Sequence, residues 1–283
     1  MNGFLNLHKP LNISSAKAVT IVKKKLNVKK IGHAGTLDPL ASGVLPLAIN
    51  EATKVISYLV NDIKEYKFTI CWGEDRDTMD AEGVVVNRNN KVPSKQEILR
   101  ILPRFVGNIE QVPPIYSAIS VNGRRAYQMA RQGKVVEMPS RKITIQKLSL
   151  LHCDNQQASF ATICGKGTYI RSLAQDIAHA LKCCGYVSNL CRTAVGSFNI
   201  DDAILLDDVQ VSHLRPIEEP IAHLPGYQLD QQQYIAIKNG QKLILNNLPF
   251  KEGDIIKCEL GNKLVAFARC SANYLKPIRV FNN

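Results

Sequence analysis

The stretch Tyr66-Lys67-Phe68-Thr69-Ile70-Cys71-Trp72 alternates apolar and polar side chains without a break. That is the period-2 pattern of a β-strand with one buried face. Further strand-like runs lie at 141–150 and 158–164, and amphipathic helical segments interrupt them. Ser14 or Ser15 can cap a helix whose apolar positions Ala18, Val19, Val22 and Leu26 follow helical spacing. Ser94-Lys95-Gln96-Glu97 is a capping box opening a helix through Ile98, Leu102 and Phe105, with Pro103 expected to kink it or end it early. Residues 169–182 form the clearest helix, with Ile170, Leu173, Ala174, Ile177 and Leu181 on one stripe. Strand and helix periods mixed without strict alternation predict an α+β fold on a mixed, largely antiparallel sheet flanked by helices.

The 283 residues suffice for one large core and a smaller one. A boundary is expected where prolines and a glycine break the periodicity between Leu214 and Gly226, dividing the chain into 1–225 and 226–283. The second part reads as a short helix at 231–239 followed by strands. Among these, 255–260 and 264–269 flank Gly261-Asn262, a two-residue hairpin signal.

The formal net charge is +12. Residues 1–64 hold nine Lys/Arg and three Asp/Glu, a net +6, and residues 227–283 hold eight and four, a net +4. Such a surface field attracts polyanions. No apolar run approaches the ~18–20 residues that span a bilayer, and the N-terminus shows no basic leader followed by an apolar stretch, so a cytoplasmic protein without a cleaved signal is expected. The eight cysteines include no C-x-x-C pair and no histidine at zinc-finger spacing, which predicts reduced thiols and no structural metal. Asp75-Arg76-Asp77-Thr78-Met79 begins like a calcium loop, but Met79 stands where an oxygen ligand is required.

The densest segment is Gly32-His33-Ala34-Gly35-Thr36-Leu37-Asp38-Pro39-Leu40-Ala41-Ser42-Gly43-Val44-Leu45-Pro46-Leu47. Its glycines permit close backbone approaches, and Pro39 pushes Asp38 toward an extended conformation. A carboxylate on so constrained a loop, inside a basic region, suits nucleophilic or acid–base work on an anionic polymer. Alone, an Asp-Pro pair more often only starts a turn.

This segment closely resembles the catalytic loop of the TruB family of tRNA pseudouridine synthases. Leu7-His8-Lys9-Pro10 resembles the family's N-terminal K-P element. Tyr66-Lys67-Phe68 resembles the start of its tyrosine-bearing strand, and Asp77-Thr78-Met79-Asp80-Ala81-Glu82-Gly83 its D-T-x-D-x-x-G loop. Pro113-Pro114-Ile115-Tyr116-Ser117-Ala118 with Gly123 and Tyr127, and Gly165-Lys166-Gly167-Thr168-Tyr169-Ile170-Arg171, match two further elements in order. The resemblance implies a pseudouridine synthase fold followed by a PUA-like RNA-binding module. The implied activity is isomerisation of a T-loop uridine of tRNA, at the position conventionally numbered 55, without cofactor or metal.

Carried over residue by residue, the resemblance makes Asp38 the catalytic carboxylate, as nucleophile or as base, with Arg171 its partner. Tyr66 stacks on the target base, Tyr169 contacts the nucleotide, and Leu190 walls the pocket. His33 intrudes into the T loop, and Lys9 joins the substrate-binding set. The implied partner is a tRNA T stem-loop, bound by a monomer without an obligate protein partner. Two departures, Ser120 and Cys191, stand where relatives usually carry basic residues and bear on affinity more than on chemistry. A non-catalytic RNA-binding or RNA-folding protein, and a subunit of an RNA-guided synthase, are the rival expectations.

Overall fold

The computed structural model describes residues 1–59, 63–121, 123–133, 136–245 and 248–282. Its first strands are β1 (Gly3–Lys9), β2 (Ile31–His33), β3 (Ala41–Ile49) and β4 (Lys64–Trp72). Two short strands, β5 (Glu74–Arg76) and β6 (Val85–Arg88), pair with each other, and β7 (Gly107–Gln111) returns to the main sheet. A small hairpin, β8 (Ser120–Val121) and β9 (Arg124–Arg125), precedes the long strands β10 (Arg141–Cys153), β11 (Gln157–Cys164) and β12 (Gly185–Val195). Short strands β13 (Phe198–Asn199) and β14 (Ile204–Leu205) complete this part.

The ten-stranded sheet runs β14-β1-β3-β12-β4-β11-β10-β7, with β13 added on β12 and β2 on β3. Antiparallel pairs dominate, while β1 with β14 and β3 with β12 are parallel. The mixed, largely antiparallel α+β architecture expected from the alternating patterns is therefore present. Strand β12 lies between β3 and β4 and joins the two halves of the sheet.

Helices form where capping and apolar spacing coincide. The Ser14 side chain accepts from the Lys17 N–H at the start of α1 (Ser15–Lys25), which buries Ala18 and Val22. After the short α2 (Ile56–Leu59), α3 (Lys95–Ile101) opens on the capping box of Ser94 and Glu97. It stops before Pro103, which starts a 3₁₀ turn over Leu102–Phe105. After the short α4 (Ala126–Arg131), α5 (Ile170–Ala180) follows a non-helical Tyr169 and buries Ile170, Leu173, Ala174, Ile177 and Ala178 against the sheet.

The chain then builds a five-stranded sheet of order β15 (Gly226–Gln228), β17 (Ile255–Leu260), β18 (Lys263–Ser271), β19 (Tyr274–Val280), β16 (Leu243–Ile244). Helix α6 (Gln231–Lys238) opens on a capping box from Asp230. This β module has its own core around Ile237, Ile256, Cys258, Ala266 and Leu275. It also shares a second core with the large sheet, where Leu264, Phe267 and Phe281 pack with Phe4, Val44, Ala48, Val55 and Leu59. Tyr58 lies 4.2 Å from Phe267, centroid to centroid. All eight cysteines are free thiols. Among the described residues, no helix is long and apolar enough to cross a membrane.

One glycine is required by this topology. Gly43 pairs with Arg192 at the parallel β3–β12 junction with φ +99°, and a Cβ there would lie 2.2 Å from the Arg192 carbonyl oxygen. Gly43→Ala is expected to lower stability by about 3 kcal/mol or more, read from urea denaturation. Gly240→Ala, at φ +76° with open space around it, is expected to lose only about 1 kcal/mol.

Candidate active site

The loop from Ala34 to Leu40 is tied down by backbone and side-chain bonds from several directions. Ser15 Oγ donates to the Leu37 carbonyl and accepts from the Leu37 N–H, both at 2.8 Å. The Asn12 N–H donates to the Pro39 carbonyl at 2.9 Å, and Ala41 N–H to the Asp38 carbonyl at 3.1 Å. Gly35, at φ +103°, turns its carbonyl to accept from Arg192 Nη2 at 3.0 Å. A carboxylate on this loop has its backbone fixed before any substrate arrives.

Asp38 Oδ2 lies 2.9 Å from Arg171 Nε, and the side chains are 36% and 5% exposed respectively. The Nε–H is enclosed but not directed along that line, so the contact is an ion pair without hydrogen-bond geometry. Arg171 is otherwise fully engaged. Its Nη1 donates to the Thr78 carbonyl at 2.9 Å and stands 3.5 Å from Asp80 Oδ2, while Nη2 donates to the Tyr116 carbonyl at 3.0 Å. Asp80 Oδ1 in turn accepts from Thr78 Oγ1 at 2.6 Å and from the Glu82 N–H at 3.1 Å. An arginine in the first turn of a helix would ordinarily reach solvent. Here the loops around 78 and 116 close over it, and the Asp38 side chain that meets it is 36% exposed.

Two further buried cations stand near the carboxylate. Arg192, 1% exposed, donates from Nε to the Val44 carbonyl at 2.8 Å as well as to Gly35. Lys9 is fully buried, and its ammonium donates to the carbonyls of Pro10 at 2.8 Å, Ile13 at 2.7 Å and Pro39 at 3.5 Å. Burial pulls the Lys9 pKa down from 10.5 to about 8, against the opposing attraction of Asp38. Lys9, expected among the substrate-binding residues, therefore has no surface to offer an RNA. It braces the Asp38 loop from behind.

Tyr66 and Phe68 on β4 lie opposite Arg192 and Leu190 on β12. Tyr66 and Leu190 are buried, at 8% and 5% exposure. Burial raises the Tyr66 pKa, with the hydrogen-bonded Arg192 cation working against it, so the phenol stays protonated at neutral pH. His33 ends β2 with its Nδ1 enclosed and unpartnered, and burial and then Arg192 hold it below its ordinary pKa of 6.5. Tyr169 is locked through its backbone: its N–H donates to Gln111 Oε1 at 2.8 Å and its carbonyl accepts from Gln111 Nε2 at 3.0 Å. Glu82, exposed nearby, has its pKa raised by burial, Asp80 and Asp38 in that order.

The structure thus joins Asp38 and Arg171, remote in sequence, with Lys9 behind them and Tyr66 buried on β4 opposite Arg192. His33, Tyr169 and Leu190 make no hydrogen bond or ion pair with Asp38 among the described residues. Arg192 was not found from sequence, since a single arginine in an alternating strand carries no signal. Asp80 lies in a quoted motif, but its tie to Arg171 is visible only in three dimensions. Of the two departures, Ser120 sits exposed on the β8–β9 hairpin, and Cys191 lies between the inward-facing Leu190 and Arg192.

Comparisons with known proteins bear on the same region. Residues 23–170 match the family described as TruB family pseudouridylate synthase, N-terminal domain, and residues 171–224 match the tRNA pseudouridylate synthase B C-terminal domain. A relative from Ehrlichia chaffeensis, tRNA pseudouridine synthase B, is 46% identical with both chains covered in full. A relative of the same name from Rhodospirillum rubrum is 41% identical over 100% of this chain and 97% of its own. Among solved structures, a chain of a Cbf5-Nop10-Gar1 complex superposes with a TM-score of 0.76 at 26% identity, over 99% of this chain and 85% of that one.

The buried cations lead to two expectations. Arg171→Ala leaves Asp80 and two carbonyls unmatched and is expected to cost about 3–5 kcal/mol of stability in urea denaturation. Lys9 binds its proton less tightly folded than unfolded, so the unfolded chain takes up the extra proton between its two pKa values. Wild-type stability should therefore rise relative to Lys9→Met as pH goes from about 8 to 10.5, the sign set by linkage. A difference flat with pH would show that Lys9 titrates normally.

Proposed function

The chain belongs to the TruB family and is a tRNA pseudouridine synthase, an isomerase, and from that premise we propose that it converts a T-loop uridine, at the position conventionally numbered 55, with Asp38 as catalytic carboxylate. The observation that carries this reading is the Asp38–Arg171 pair, in which a fully enclosed guanidinium holds a carboxylate whose side chain remains one-third exposed. Arg171 keeps that carboxylate oriented. The reaction breaks the C1′–N1 bond, turns the retained uracil and forms a C1′–C5 bond; C5 gives up its proton and N1 gains one, so no atom is gained or lost. Asp38 enables the first cleavage as a nucleophile at the sugar or as a base.

A uridine stacked in folded RNA hides its glycosidic bond, so it must be turned out of the stack, at a cost of a few kcal/mol. Stacking on an aromatic ring returns roughly 1–3 kcal/mol per base. Tyr66 offers that surface, Leu190 an apolar wall, Tyr169 a contact to the nucleotide, and His33 a neutral ring to fill the space in the loop. Lys9 and Arg192 act on the carboxylate from within the protein. The β module and the basic N-terminal region grip phosphates. The likeness to a chain from a multi-protein complex favours one rival, a partner-dependent synthase. Relatives named as tRNA pseudouridine synthase B that match over their full length support the stand-alone reading.

Carbodiimide mapping of an unmodified tRNA transcript, with the isolated chain and EDTA, is expected to give one new pseudouridine signal in the T loop. No signal there would overturn the reading. Asp38→Asn is expected to abolish turnover while tRNA affinity stays within a few-fold. Substantial residual turnover would remove Asp38 from its role.

A further inference from the structure

We propose that Arg141, at the start of β10, forms with the N-terminal end of α5 a seat for one phosphate of the RNA backbone beside Tyr169. The inference rests on tRNA being the substrate and on Tyr169 facing it. The Arg141 guanidinium lies 4.6 Å from the Tyr169 ring centroid. Its Nε and Nη2 are enclosed and have no hydrogen-bond partner. Among the described residues it makes no ion pair.

Arg171 Nε also lacks a hydrogen bond, but it faces the Asp38 carboxylate at 2.9 Å, a counter-charge Arg141 does not have among the described residues. Arg171 meets two carbonyls and two carboxylates, and Arg192 meets two carbonyls. An enclosed donor without an acceptor is costly, so unmatched guanidinium N–H groups call for an acceptor from outside the chain. The surroundings favour an anion. No side chain caps α5, whose N-terminal end carries partial positive charge. Arg141 pairs in register with Gln111, the residue that clamps the Tyr169 backbone on both sides. Arg141 and the glutamine that holds Tyr169 at the start of α5 therefore stand on neighbouring strands of one sheet. The residue is only partly buried, so its side chain reaches solvent, and a phosphate meets the two enclosed nitrogens once the guanidinium turns outward. A phosphodiester presents two oxygens that match the planar fork, and its nucleotide would then lie against Tyr169.

The alternative is that Arg141 only props the Tyr169 ring. Salt dependence separates the two, because each neutralised phosphate adds roughly 0.7–0.9 to the slope of log affinity against log salt. Binding of an unmodified tRNA transcript would be measured across KCl concentrations for Asp38→Asn alone and with Arg141→Gln or Arg141→Lys. Arg141→Gln is expected to weaken binding severalfold and flatten the slope by about one phosphate. Arg141→Lys, which keeps the charge but loses the fork, should restore the slope and only part of the affinity. An unchanged slope in Arg141→Gln overturns the proposal, whatever happens to turnover. Thermal melting checks the variants, whose melting temperatures should stay within a few degrees because the side chain makes no hydrogen bond. Wild-type turnover on the same transcript is the separate control. Its absence would sink the uridine-isomerising reading and leave the slope comparison standing.

Discussion

The arrangement depends on a guanidinium that has been taken out of water. Removing a cation from solvent is costly, and Arg171 recovers that cost only through the carbonyls of Thr78 and Tyr116 and the carboxylates of Asp38 and Asp80. The energetic demand of the arginine therefore dictates where the loops around 78 and 116 must lie. It also places the Asp38 carboxylate against the buried cation. Structural necessity and chemical readiness are met by the same contact.

The remaining cations serve the loop. Lys9 and Arg192 hold carbonyls of Pro39, Gly35 and Val44, fixing the backbone on both sides of Asp38 from beneath. A preorganised carboxylate needs little reorganisation when charge develops in the reaction, which is the usual source of a large electrostatic contribution to rate. Attachment of the C-terminal module follows a different logic. Phe267 and Phe281 enter an apolar cluster that contains Phe4 and Val44, so the module is fastened to strands β1 and β3, the latter continuing directly from the Asp38 loop.

Much of this was legible before any coordinates. Helix starts near Ser14 and at Ser94 follow from side-chain capping chemistry, which acts within four residues. The Asp38–Arg171 pairing followed from ordered motifs. Lys9 was misplaced because a Lys-Pro pair does not reveal whether its ammonium turns inward, which depends on carbonyls delivered by residues 13 and 39. Arg192 escaped for a related reason: its partners, Gly35 and Val44, come from about 150 residues earlier in the chain. The strand order was equally hidden, since period-2 alternation marks a buried face but not a neighbour.

The central place of β12 has a consequence for how the molecule comes into being. Strands β1 and β3 carry the Asp38 loop, while β4, β11, β10 and β7 form the other half, and the two halves share no strand pairing of their own. Their connector is among the last parts of the large sheet to leave the ribosome, and it must slot into the middle rather than add at an edge. A nascent chain that ends before residue 185 therefore has its acid and its arginine on two unjoined pieces. Translation must pass the seam before the sheet can hold those two residues against each other.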